Sequence, residues 1–316
     1  MIDKHRLVKS LEKAHSNLPI VIACAADDGY AMPMAVMLYS AMSNYGGASA
    51  AEIYILDGGI SPAHREKIRQ VLDPYLVTIH WVTFDLSTLN GLPLRKYLTP
   101  TTYARLLISD VVPGSIEKVI YLDCDLLVCR DLATLWAKET GSAYYLAAQD
   151  PGLPLIAKSS LAGCPEVQFS ATDEYFNAGL MVMNLAAWRR ENIGQRAIEF
   201  IHRWPAFVPN LDQDGLNALG LRRWGKLEPA WNVTSWDTWR TPEFGELPDV
   251  VIHFIGKNKP WRNDISTRYL NADASRLYGK YLRASGWFNP FERNLFDFKR
   301  AWGRYKSNRN AVKSPR

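Results

Sequence analysis

Residues 121–128 read YLDCDLLV, with Asp123 and Asp125 one residue apart inside an otherwise apolar run. Carboxylates are seldom set in apolar surroundings without a partner. In a strand, residues i and i+2 point to the same face, so the two side chains can converge on one point. Like charges held close repel, and the conflict is relieved by a proton on one of them or by a cation between them. Oxygen-rich sites of this kind suit Mg2+ or Mn2+, particularly where substrate phosphates complete the coordination. A solvent-facing pair at a strand end is the plainer alternative.

Two metal-using classes fit the pair. In a phosphatase of the haloacid-dehalogenase type, the first Asp attacks phosphorus and the second serves as acid and base. That pattern, D-x-D-x-[TV], belongs near the first strand of a chain, whereas here it arrives after about 120 residues, with Leu127 in the Thr/Val place. The other class uses the pair to hold a divalent cation against the diphosphate of a nucleotide sugar. A third reading is a non-catalytic nucleotide-sugar-binding protein.

The elements that must carry these residues alternate. Leu18–Ala25 (LPIVIACA) is a near-continuous apolar run, as expected of a strand covered on both faces. Residues 31–43 read as a helix, 52–56 as a strand, and 61–72 as a helix opened by Ser-Pro. A strand over 77–84, a helix over 101–108 and strands over 118–122 and 143–148 follow. This order predicts an α/β fold with a mostly parallel central sheet flanked by helices. Ligands in such sheets bind beyond the carboxyl ends of the strands, where Asp27, Asp28, Asp123 and Asp125 fall. Neither G-x-G-x-x-G after the first strand nor G-x-x-x-x-G-K-[ST] occurs, so the dinucleotide fingerprint and the P-loop are both missing. Residues 151–165 read as a mobile loop, 176–184 as a strand, 188–204 and 212–220 as helices, and 224–264 mainly as loop. From Asn289 a helical appendage is expected, with Phe291, Leu295, Phe298, Trp302 and Tyr305 at helix spacing.

Of the net charge of +5 at pH 7, seven Lys/Arg with no acid lie in residues 299–316, which leaves the rest of the chain about −2. The basic charge is a tail and not a surface interleaved with aromatics, which argues against a nucleic-acid protein. Cys24, Cys124, Cys129 and Cys164 form no C-x-x-C pair and read as reduced packing residues. No run of 18 apolar residues and no export signal occurs, so a cytoplasmic protein is expected.

Six blocks stand in an order that resembles glycosyltransferase family 8, the bacterial lipopolysaccharide galactosyl- and glucosyltransferases related to glycogenin. They are VIACAADDGY (21–30), TPTTYARLLI (99–108), KVIYLDCDLLV (118–128), EYFNAGLMVMNLAAWR (174–189), LDQDGLN (211–217) and HFIGKNKPW (253–261). The resemblance implies a GT-A-type nucleotide-sugar-binding fold over residues 1–283, with 284–316 as a basic amphipathic helical tail. It implies Mn2+, with Mg2+ as the alternative, held by Asp123, Asp125 and His253. By itself His253, ending the apolar PDVVIHF, is most simply structural. Gly256 would allow close backbone approach to a diphosphate, and Lys259 would neutralise charge as UDP leaves. The donor contacts carried over are Ala25 and Asp27 for uracil and ribose, Tyr30 beside the base, Cys124 within the aspartate motif, and Arg105 near the sugar and diphosphate. Asp150, Asn177, Asp212 and Gln213 would surround the transferred hexose or the acceptor. Local alternatives stand beside these roles: Asp28 or Asp212 as helix caps, Asn177 as a turn residue, Arg105 as a buried ion-pair partner.

The implied reaction is retaining transfer of galactose or glucose from UDP-galactose or UDP-glucose to a saccharide or glycolipid acceptor. Gln213, an amide, stands where a nucleophile would be needed, and Asp212 is the nearest carboxylate in sequence. Front-face attack needs neither. An aromatic helix followed by seven uncompensated positive charges would suit the anionic cytoplasmic face of an inner membrane.

Overall fold

The computed structural model describes residues 19–95, 98–234, 249–257, 259–262, 272–288 and 291–292. Its centre is a sheet of seven strands, β1 (Ile20–Ala26), β2 (Ala51–Asp57), β3 (Val77–Val82), β4 (Lys118–Leu122), β6 (Tyr145–Gln149), β7 (Phe176–Asn184) and β8 (Trp224–Leu227), ordered β3-β2-β1-β4-β7-β6-β8. Only β7 runs against its neighbours β4 and β6; the remaining pairings are parallel. β1 is buried along almost its whole length, as its unbroken apolar sequence demands. The sheet side chains divide between two cores. Ile20, Ile22 and Cys24 pack under the helices Ala31–Ser43, Pro62–Leu72 and Ala272–Ala284. Val21 and Ala23 join Tyr103, Trp188 and Leu216 on the opposite face.

Successive strands are added on one side of β1 as far as β3 and then on its other side from β4, and the carboxyl ends of the parallel β1 and β4 face one crevice. Because β7 is antiparallel, its first residues, Phe176 and Asn177, lie at that same end. A second, three-stranded sheet, β5 (Leu126–Val128), β10 (Val251–His253) and β9 (Val233–Thr234), completes the crevice.

Several elements differ from the sequence reading. Asp123–Asp125 form the turn between β4 and β5 and are not part of a strand, so a turn and not strand alternation brings their side chains together. The segment Pro100–Leu107 is a 3-10 helix that becomes α-helical only at Ile108–Val111. The neighbouring helix packs against it backbone to backbone: a Cβ on Gly194 would lie 1.9 Å from the Leu106 carbonyl oxygen. The helix expected over 188–204 is two, Leu185–Glu191 and Ile193–Arg203, broken where Asn192 takes the left-handed conformation (φ 50°) that Asn tolerates. The 151–165 stretch holds two short 3-10 turns whose Ile156, Leu161 and Cys164 enter the core. The 224–264 region supplies β8, β9 and β10. All four cysteines are buried and free. The expected appendage from 289 lies, but for residues 291 and 292, outside the described residues.

Candidate active site

The crevice holds a cleft of about 380 Å3, and each residue singled out for a site from the sequence lines it. β1 delivers Ala25 and Asp27, the β4–β5 turn Asp123, Cys124 and Asp125, and β6 Asp150. The start of β7 delivers Asn177, and β10 and its following bend deliver His253, Gly256 and Lys259. Gly256 has φ +74°, the left-handed bend for which glycine is suited.

Among the described residues, Asp123, Asp125 and His253 place one ligand atom each within 4.8 Å of one another. His253 Nε2 is 3.2 Å from Asp125 Oδ1 and 3.9 Å from Asp123 Oδ2. Burial and the neighbouring Asp125 push the Asp123 carboxyl up, although Arg105 opposes them. Against burial, Lys259 and His253 hold Asp125 well below the usual carboxylate range. Two carboxylate oxygens and an imidazole nitrogen converging on one point form a donor set that fits Mn2+ or Mg2+, the nitrogen favouring the former. The ring of His253 sits so close to β7 that a Cβ on Gly179 would meet its Cε1 at 2.2 Å.

Arg105 is buried and spans the aspartates. Its Nη2 donates to Asp123 Oδ1 (2.7 Å), its Nη1 to the Ala178 carbonyl (2.6 Å), and its Nε lies 2.7 Å from Asp212 Oδ2 in an ion pair. Its carbon Cζ stands 4.7 Å from the centroid of the Tyr121 ring. Burial pushes the Asp212 carboxyl up to about 6, with Arg105 pulling it down and Asp123 adding to the rise. Lys259 Nζ donates to Asp125 and to the Phe254 carbonyl, so the lysine starts from the aspartate pair. Arg105 is thus a buried ion-pair partner that also lines the cleft.

The caps fall differently from expectation. Asp27 caps the short turn after β1, accepting from the Tyr30 amide, while its other oxygen accepts from Thr99 Oγ1 (2.7 Å). Asp28 instead accepts from the Ser61 amide (2.8 Å) and pairs with His64 Nδ1 (2.7 Å). Asp212 opens its helix without capping it; the preceding residue, Leu211, is held at φ 58°, ψ −125°, a conformation that costs a non-glycine residue strain. Cys124 Sγ donates to the Ala25 carbonyl (3.0 Å), and Tyr30 meets Trp261 edge to face.

Asp150 accepts through Oδ1 from the amides of Gly152 and Leu153, and through Oδ2 from Asn177 Nδ2 (3.0 Å) and Gln213 Nε2 (3.2 Å). Gln213 Oε1 accepts from the Ala178 amide (3.0 Å). Asn177 thus stands in β7 and lines the cleft, and is not a turn residue. Sequence reasoning missed Asn232, which joins Asn177 to His253, and Gly179. A polar residue between the apolar Trp231 and Val233 was the available sign for the first, and the glycine inside the strand FNAGLMVMN for the second.

Glycosyl transferase family 8 matches residues 21–265. General stress protein A of Bacillus subtilis is 28% identical over 284 residues, covering 85% of this chain and 96% of that protein. Lipopolysaccharide 1,3-galactosyltransferase of Salmonella typhimurium is 28% identical over 63% of this chain and 60% of its own. The solved structure of the galactosyltransferase LgtC, in complex with donor and acceptor sugar analogs, has a TM-score of 0.71. It is 25% identical and covers 87% of this chain and 99% of that one.

Proposed function

The chain belongs to glycosyl transferase family 8 and carries its GT-A-type fold, and from that premise we propose that it moves galactose or glucose from a UDP-sugar to a saccharide or glycolipid acceptor. The observation that carries this reading is the meeting of Asp123, Asp125 and His253 in one cleft with the polar side chains of Arg105, Asp150, Asn177, Asp212 and Gln213. Asp123, Asp125 and His253 would hold Mn2+. When bound, the cation supplies charge to offset that developing on the departing diphosphate. Lys259, on the bend that Gly256 opens, would turn from Asp125 toward that charge. Ala25 and Asp27 would take the uridine, with Tyr30 and Cys124 beside it.

Retention is read as front-face transfer, in which the anomeric C–O bond to the diphosphate breaks as the acceptor oxygen bonds on the same face. The acceptor proton then leaves with the diphosphate. Double displacement needs a free carboxylate, and the two positions nearest in sequence are engaged: Asp212 by Arg105, and Gln213 by Ala178 and Asp150. The phosphatase alternative would need Asp123 as a nucleophile, yet Arg105 and Tyr121 both hydrogen-bond its Oδ1.

A screen of UDP-sugars for donor hydrolysis, with and without Mn2+, followed by an acceptor array, tests the reading. Metal-dependent release of UDP from one hexose donor is expected, and its loss in Asp125→Asn with the fold intact. Cleavage of simple phosphomonoesters in place of UDP-sugars, or undiminished turnover in Asp125→Asn, would overturn it.

A further inference from the structure

Asn232 sits between a 3-10 turn (Pro229–Trp231) and β9, is 3% exposed, and does not itself line the cleft. Its amide nevertheless links His253 to Asn177. The direction of every bond in this link follows from a backbone donor. The Gly179 amide donates to Asn177 Oδ1 (3.0 Å), so the Asn177 NH2 group is the end that reaches Asp150. Asn177 Oδ1 also accepts from Asn232 Nδ2 (2.8 Å), which leaves Asn232 Oδ1 as the atom 3.0 Å from His253 Nδ1. An amide oxygen only accepts, so Nδ1 must carry the hydrogen and Nε2 presents its lone pair toward Asp123 and Asp125.

We propose that Asn232 is a positioning residue which fixes His253 as a ligand through Nε2 and, through Asn177 and Asp150, ties the metal ligands to the pocket that holds Gln213. This rests on the metal-dependent glycosyltransferase reading above. Groups that orient a ligating histidine through its second nitrogen govern metal affinity by about 10- to 100-fold. The link has two ends, and a single substitution separates them. A carboxylate in place of the amide still accepts from Nδ1 but offers no N–H to Asn177.

Calorimetric titration of the full chain with Mn2+ alone, on wild type, Asn232→Leu, Asn232→Asp and His253→Gln, provides the test, with UDP-sugar hydrolysis at saturating Mn2+ beside it. Asn232→Leu should weaken Mn2+ binding by about 10- to 100-fold. Asn232→Asp should hold Mn2+ within about threefold of wild type while its hydrolysis kcat falls about tenfold or more. Asn232→Leu within twofold of wild type in Mn2+ affinity would overturn the proposal. So would Asn232→Asp losing affinity as fully as His253→Gln, the outcome of a merely structural role and the deciding one if the leucine variant does not fold. If instead wild type binds Mn2+ no better than His253→Gln, the metal reading itself fails, and the link with it.

Discussion

The imidazole of His253 is fixed from two sides, by the Asn232 amide at Nδ1 and by the bare backbone of Gly179 under its ring. A methyl group at residue 179 would occupy space the ring already fills, with Cε1 2.2 Å from the added carbon, and β7 cannot retreat while Gly179 O accepts from the Asp123 amide (2.8 Å). Gly179→Ala should therefore move the ring and cost Mn2+ affinity about tenfold or more, read by calorimetry on a chain that still melts cooperatively. Asp125→Asn should abolish metal-dependent turnover for a different reason, since it removes the charge that faces both His253 and Lys259. At this scale the aspartates, the histidine and the lysine were legible because each belongs to an ordered block. Asn232 and Gly179 were not, because an amide that only orients another side chain, and a glycine that only makes room, show locally as no more than a polar residue among apolar ones and a glycine inside a strand.

Among the elements, the join between the end of β1 and the helix Pro62–Leu72 carries a titrating group. Asp28 accepts from the Ser61 amide and pairs with His64, while Ser61 Oγ accepts from the His64 amide, so cap and carboxylate serve the same helix terminus. The bonds from Ser61 and His64 lower the Asp28 carboxyl to about 2 from 3.8. A depressed carboxylate stabilises the fold above its unfolded value, and that contribution fades as pH falls from 3.8 through about 2. Asp28→Asn should thus lower the thermal midpoint at pH 7 and converge on wild type as pH falls to about 2. Because the side chain is 47% exposed, the loss should stay under about 1 kcal/mol. Ser61→Ala should cost about 1 kcal/mol with little pH dependence, measured by urea unfolding. The long strands and well-capped helices were legible from apolar runs and Ser-Pro punctuation. β5, β8, β9 and β10 have three, four, two and three residues, too few for any periodicity to declare itself, and their partners lie far along the chain. The turn bearing Asp123 and Asp125 was read as strand for the same reason, since β5 follows it almost at once.

For the whole molecule, contacts near the end of the described residues bear on where a catalytic unit and a proposed membrane-directed tail divide. No helix among the described residues is long and apolar enough to cross a membrane, and the proposed contact rests on the seven uncompensated charges of 299–316. A boundary between 283 and 284 would cut within the last residues of a helix whose Leu277, Tyr278, Tyr281 and Leu282 are buried. The core continues past it: Ser285 and Trp287 are 6% and 4% exposed, the Trp287 ring lies 5.4 Å from His64, and Lys67 pairs with Glu292 at 3.2 Å. We therefore place the proposed division no earlier than residue 292. Ending the chain at 283 removes the buried Trp287 and should cost about 3–5 kcal/mol relative to a chain ending at 292, measured by urea unfolding. Co-sedimentation with anionic vesicles then isolates the tail's own contribution. The full chain should bind at low salt and release as salt rises, each basic residue near the surface contributing about 1 kcal/mol, and the chain ending at 292 should stay in solution. Equal vesicle binding by the two would remove the tail from the membrane reading and leave the glycosyltransferase reading untouched, because no residue assigned to the cleft lies beyond Lys259.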